Sequence, residues 1–343
     1  MRLPAVPAVG ADALARHDTV RRSLAEQLAV VSTPVADVIR HVQRRVALES
    51  LAGVTPVVSE RIAPPRRRFL SASDRGRLRG CELGLDHVDA RRSGLTRGRT
   101  SDVIGADTVT VVHALVRSHD PGTTTDAGLL RVTDAHFDAT ETDYTPPPAE
   151  RCAALLDQAI RIVNASDDAA VVRAGWFTAI LLAIHPFADG NGRTARLLHH
   201  LVAESAESAE AAAAAEVWAI ARDAYVAALK ASQQPAIRGD VIDASPFVSF
   251  AVESATVGAE LVLRRLAALS DLWDAPWDSL SGSARAIEIA VGLDSTSTVA
   301  ELGDIADDGV CAVLVDALVD AGRLVWDSAG LVRVAPDHPM LEC

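Results

Sequence analysis

The chain has 343 residues, enough for two or three domains, and carries a formal net charge of −13. That acidic balance excludes non-specific attraction to nucleic acid or to an anionic membrane for the chain as a whole. Aromatic residues make up only 4%, while Ala, Leu and Val abound, which suits helices packed through small side chains.

In chain order, residues 1–16 read as a Pro/Ala arm. Residues 20–51 carry apolar positions at helical spacing (Leu24, Leu28, Val31, then Val38, Ile39, Val42, Val46), predicting one or two helices broken near Pro34. A Pro/Arg stretch follows at 62–70. Residues 76–99, rich in Arg and Gly with weak periodicity, read as a loop-rich link with solvated arginines. Cysteines 81, 152, 311 and 343 lack metal or disulfide spacing and read as reduced thiols of a cytosol. The N-terminus has no continuous apolar core of a signal peptide, and no run reads as long enough to span a membrane. The expectation is a soluble, cytoplasmic protein.

Chemistry concentrates in residues 185–196, HPFADGNGRTAR. Upstream, Trp176–Ile184 is apolar throughout and reads as a buried helix. Downstream, Thr194–Val202 has helical periodicity, so the polar segment is a loop ending on a helix N-terminus. Gly190 and Gly192 permit φ > 0 or a close backbone approach. Free N–H groups and the helix dipole make such a turn an anion site. Arg193 and Arg196, one turn apart, can fork onto phosphate oxygens. Asp189 is a hard oxygen ligand suited to Mg²⁺, and His185, where the first helix ends, can act as a base. His199 and His200, further along the helix, read as structural or surface residues.

This motif resembles that of the Fic family, HxFx(D/E)GNGRxxR, matching at His185, Phe187, Asp189, Gly190, Asn191, Gly192, Arg193 and Arg196. The likeness extends to 111–119 with 128–131 (GLLR), to 144–150 (YTPPPAE), and to 217–231 and 243–252, or roughly residues 100–265. The resemblance implies a mainly α fold, a Fic-type helical core with a small β-hairpin flap. It implies transfer of AMP from Mg·ATP to a Ser, Thr or Tyr hydroxyl of a target protein. By that resemblance His185 takes the hydroxyl proton and Asp189 holds the Mg²⁺. Asn191 with the Gly190 and Gly192 backbone forms the α-phosphate anion hole, Arg193 and Arg196 grip the β- and γ-phosphates, and Phe187 anchors the loop. The acidic residue at 189 favours nucleotidyl transfer over phosphorylation, while adenine itself and the phosphocholine-transferring alternative are left open. A target would dock by strand addition on the flap, residues 132–145. A homodimer is a state many members adopt.

Many Fic proteins are inhibited by a helix bearing (S/T)xxxE(G/N), whose Glu pairs with the arginine that is Arg196 here. No intact copy is present. Residues 47–53 (ALESLAG) have Ala52 before Gly53, residues 79–84 have Glu82 without the Ser or Thr, and residues 256–261 have Glu260 followed by Leu261. Arg196 is therefore expected to lack that partner, with Glu49, Glu82 and Glu260 as candidates for a divergent one.

Residues 284–293, 299–306 and 310–321 predict three short helices, and 323–326 with 331–334 a strand–turn–strand. The set resembles a winged helix, giving three regions: an N-terminal helical region and linker (1–99), the Fic core (100–265) and a winged-helix-like domain (280–343). A rival function follows, a nucleotide-sensing transcriptional regulator or toxin-type binding module using that tail. Charge argues against DNA as partner: residues 283–335 hold three arginines (Arg285, Arg323, Arg333) against nine acids.

Overall fold

The computed structural model describes residues 2–53, 71–96, 103–121, 126–135, 144–203, 208–237, 241–274, 282–294, 302, 305, 308–328 and 330–336. The fold is mainly α. Its helices are α1 (Ala11–Val30), α2 (Thr33–Ala52), α3 (Ala72–Thr96), α4 (Ala106–Arg117), α5 (Cys152–Ala165), α6 (Ala170–Ile184) and α7 (Asn191–Val202). Then come α8 (Ser208–Ile220), α9 (Arg222–Ile237), α10 (Ser245–Asp274), α11 (Ser283–Asp294) and α12 (Asp308–Asp320). An antiparallel pair, β1 (Leu324–Trp326) and β2 (Val332–Val334), sets Leu324 opposite Val334 and Trp326 opposite Val332.

The chain forms two compact units. One comprises residues 1–19, 47–55 and 70–258, the other 20–46, 56–69 and 259–343. In the first, α6 is the central helix: from Val171 to Ile184 nearly every side chain is buried, so it has no polar stripe to read as amphipathic. It packs against α5, α7 and α9, while α7 packs against α3, α4 and α8. In the second, α11 packs on α12, and the strand pair packs on both. Gly322 follows α12 at φ +73, and its N–H bonds to the Val319 carbonyl, a left-handed helix end that glycine adopts without strain. Of the expected middle helix of this tail, 299–306, only Leu302 and Ile305 are described, both buried, and the flap residues 136–143 lie outside the described residues.

Several expectations are corrected. The N-terminal arm ends at Gly10, because Ala11 onward (ADALAR, with Asp12 in the first turn) already favours helix. The stretch 217–231 is divided at Ala221 between α8 and α9. The supposed loop-rich link is α3, a helix of 25 residues. Its glycines form a stripe at i, i+4 and i+8 against α4 and α7. A Cβ on Gly76 would lie 2.1 Å from the His119 carbonyl oxygen, and one on Gly80 would lie 2.4 Å from that of Val116. At Gly84 it would meet Leu197 Cδ1 at 2.7 Å. The glycines let α3 run antiparallel to α4 almost backbone to backbone, and this packing outweighs their poor helix propensity. Finally, Ser245–Ser270 of α10 is long and apolar enough to cross a membrane by length and composition (mean hydropathy 1.3), contrary to the expectation of no such run. Of that window 56% is buried within the protein, as in a core helix.

Candidate active site

The site is built where α6 ends and α7 begins. His185 caps α6 in the left-handed conformation (φ 51, ψ 58), the only non-glycine residue at positive φ among those described. Its N–H bonds to the Leu181 carbonyl at 2.9 Å. Burial is the main cause that pulls the imidazole down to about 4. The Leu182 backbone opposes this, and the Arg131 charge adds to it. At neutral pH the ring is uncharged and able to accept a proton.

The loop between the helices is tied from within. Asn191 Oδ1 accepts the Phe187 N–H at 3.0 Å, and its Nδ2 donates to the Phe187 carbonyl at 2.8 Å. Both amide atoms of this buried side chain are thus spent on closing the loop, leaving its backbone N–H to face an anion. Gly190 takes φ +79, and Asn191, Gly192 and Arg193 open α7 with N–H groups that have no intrahelical partner. Phe187 is fully buried and stacks on His113 of α4, with centroids 3.7 Å apart and planes 4° apart.

Three residues on one face of α4 and the turn after it read this loop, and sequence reasoning missed them. His113 Nδ1 accepts the Gly128 N–H at 2.9 Å, so Nε2 carries the proton and donates it to the Asp189 carbonyl at 2.9 Å. Arg117 Nη1 pairs with Asp189 Oδ2 and lies 3.1 Å from Asp120 Oδ2. Asp120 receives a two-pronged bond from Arg193, both distances 2.7 Å. Burial would raise the Asp120 carboxyl, but Arg193 and Arg117 hold it below the usual range. The spacing 113, 117, 120 was the available signal: three polar residues three and four apart, at the end of α4 and in the turn after it. Arg131 was noted only as the end of a matching segment. It proves to be buried, with Nε donating to the His185 carbonyl, Nη1 to Thr133 O and Nη2 to Pro147 O. It binds both ends of the flap segment to the loop.

Arg193 and Arg196 are thus differently placed. Arg193 is buried and committed to Asp120 and the Val116 carbonyl. Arg196 is half-buried, and the partner of its guanidinium is a backbone carbonyl, not one of the candidate glutamates. Its Nε and Nη2 donate to the Leu51 carbonyl at the end of α2, at 3.2 and 2.8 Å, and its charge bears on the Tyr225 hydroxyl. Glu82, one of the candidate inhibitors, is paired with Arg79 instead. His199 and His200 are both buried. His199 meets Thr178 Oγ1 and the edge of Trp218, and His200 meets Asp89.

Residues 104–203 match the model of the Fic/DOC family. The whole-chain fold agrees with this Fic domain. A Fic family protein from Desulfovibrio desulfuricans G20 superposes with a TM-score of 0.56 over 97% of this chain and 99% of that one, at 16% identity. A Fic domain containing signaling protein from Bacteroides thetaiotaomicron gives 0.54 over 78% of this chain and 100% of that one, at 15% identity. Fic-1 (aa134–508) from C. elegans gives 0.51 over 76% and 74%, at 20% identity. No curated protein matches the chain. The Fic domain is the part of the molecule that holds every residue of the motif.

Proposed function

We propose that the protein is an adenylyltransferase that moves AMP from ATP to a Ser, Thr or Tyr hydroxyl of a target protein. The observation that carries this reading is the neutral, half-buried His185 fixed beside an anion cradle at the N-terminus of α7. In this reading the triphosphate lies against the N–H groups of residues 191–193 and the positive end of α7. The Leu51 carbonyl, being neutral, yields Arg196 to a phosphate, because a charge-assisted bond is the stronger. The target oxygen attacks the α-phosphorus, its proton passes to His185, and pyrophosphate leaves. Arg131 keeps the His185 carbonyl fixed while the target docks on 132–145, of which Val132 is almost fully exposed.

Mg²⁺ at Asp189 fits less well than its residue type implied. Asp189 Oδ1 accepts the Gly190 N–H and Oδ2 is held by Arg117, with Arg193 4.0 Å away. No cluster of three metal-ligating side chains occurs among the described residues. No step here is routed through a metal.

The test is incubation of the protein and a cell lysate with α-labelled ATP, with CTP, GTP, UTP and CDP-choline in parallel. Transfer to protein is expected with ATP and is expected to disappear in His185→Ala. Label surviving that substitution would sink the mechanism, and preference for another donor would correct the transferred group. The rival regulator gains no support: the exposed face of α12 presents Val310, Val313 and the acid Asp316 rather than basic side chains.

A further inference from the structure

We infer that Arg117 is the resident counter-cation of Asp189, so that this site binds a polyphosphate without recruiting a divalent metal through that carboxylate. The inference rests on the nucleotide reading above and concerns the ion chemistry of the same site.

Arg117 is built into the loop rather than resting on it. Its side chain is buried and comes off α4 one turn after His113, whose ring fixes the Asp189 backbone. A Cβ on Gly190 would lie 3.0 Å from Arg117 Cδ and 3.4 Å from Cγ, so the glycine leaves room for the arginine stem to pass. The guanidinium then joins Asp189 to Asp120, and Arg193 closes the set from α7. Two cations and two carboxylates balance: the side chains of Arg117, Arg193 and Asp120 are buried, and Arg117 holds the exposed Asp189 carboxylate from the protein side. A dication at Asp189 would have to displace a charge-assisted bond and lie beside two guanidinium groups. Arg117, by contrast, already offers a fixed positive charge at the cradle. Asp189 is then the carboxylate partner of Arg117, and not a metal ligand.

The two assignments differ in what removal of each side chain does. Binding of ATP, measured by calorimetry with the full chain in excess Mg²⁺ and in EDTA, is expected to differ less than about threefold between the conditions for the unsubstituted protein. Asp189→Asn is expected to bind in EDTA at least as tightly, since it removes a negative charge beside the phosphates. Arg117→Gln is expected to lose about tenfold in EDTA and to regain it in Mg²⁺, a rescue that disappears in Arg117→Gln/Asp189→Asn. A large Mg²⁺ gain in the unsubstituted protein that Asp189→Asn abolishes would overturn the inference. If ATP binds no form at all, the nucleotide reading fails, and Mn²⁺ titrated without nucleotide and followed by paramagnetic resonance still decides the ion question. Arg117→Gln should then bind more Mn²⁺ than its Asp189→Asn double variant, while the unsubstituted protein binds no more than Asp189→Asn. Equal Mn²⁺ binding by the unsubstituted protein and Arg117→Gln would refute the role of Arg117.

Discussion

At His185, backbone and ring chemistry make separate demands. The ring is held neutral to about 4 against its ordinary 6.5, chiefly by burial. Because the neutral form is the base, kcat/KM for protein labelling should stay level as pH falls from neutral to about 5, rather than halving near 6.5. An acid limb centred near 6.5 would show that the free site does not bury the ring in this way. The backbone holds φ 51, where a Cβ is strained. His185→Gly should therefore be more stable than His185→Ala by about 1 kcal/mol in denaturant unfolding, although neither is active. Equal stability would mean that position 185 relaxes once the imidazole is gone. The motif residues were legible because they lie together in twelve positions. Their supports were not: Arg117 and Asp120 meet Asp189 and Arg193 across 72 and 73 residues of chain. A charged residue on a helix read alone defaults to solvent.

Whole elements were legible where burial follows the helical period and illegible where backbones touch. The ends of α6 and α7 follow from an apolar run and a glycine turn. The Gly76–Gly80–Gly84 stripe of α3, with arginines between, has the composition of a loop, and only the presence of α4 makes it a buried face. Gly80→Ala should destabilise the protein by about 2 kcal/mol despite alanine's better helix propensity, because its Cβ meets the α4 backbone. Gly84→Ala should cost less, since its nearest neighbour is the end of the Leu197 side chain, which can turn aside. Comparable losses at the two positions in urea unfolding would contradict this. The end of α2 carries a second expectation. A neutral carbonyl holds Arg196, and a Cβ on the neighbouring Gly53 would lie 3.7 Å from its Nη2. Ala52→Glu should thus bring a carboxylate to that arginine and lower labelling at least about tenfold, while Ala52→Gln should lower it far less. Equal activity of the two would show that the α2 end does not control access to Arg196.

For the molecule as a whole, histidines held neutral by desolvation weaken stability on the acid side. His185 and His199 each fall from 6.5 to about 4, burial being the first cause in both. Their folded values lie below the unfolded ones, so between 6.5 and about 4 the unfolded chain binds more protons. Stability therefore falls as pH falls through that window. Tm is expected to drop by about 5 °C or more between pH 7 and pH 5, and His199→Gln should flatten that slope. A slope unchanged by the substitution would remove His199 from this account. Composition foretold a helical protein, but not that the compact units would be assembled from separated stretches of chain. Such assembly depends on contacts that no local pattern encodes.

The loop closed by Asn191 also bears on how the protein ages. Asn191–Gly192 is the dipeptide most prone to deamidation, in which the glycine nitrogen attacks the side-chain carbonyl carbon and ammonia departs. Here both atoms of the amide are bonded to Phe187, and the helical backbone turns the Gly192 nitrogen away from that attack. The native molecule should keep this asparagine through prolonged storage, and the urea-unfolded chain should lose it. An aspartate formed while unfolded would put an acceptor where Nδ2 now donates to the Phe187 carbonyl, so chains damaged in that state should refold with a misshapen loop. Peptide mapping of native and unfolded samples aged side by side would reveal the difference, and a working site would then be a record of a chain that had stayed folded.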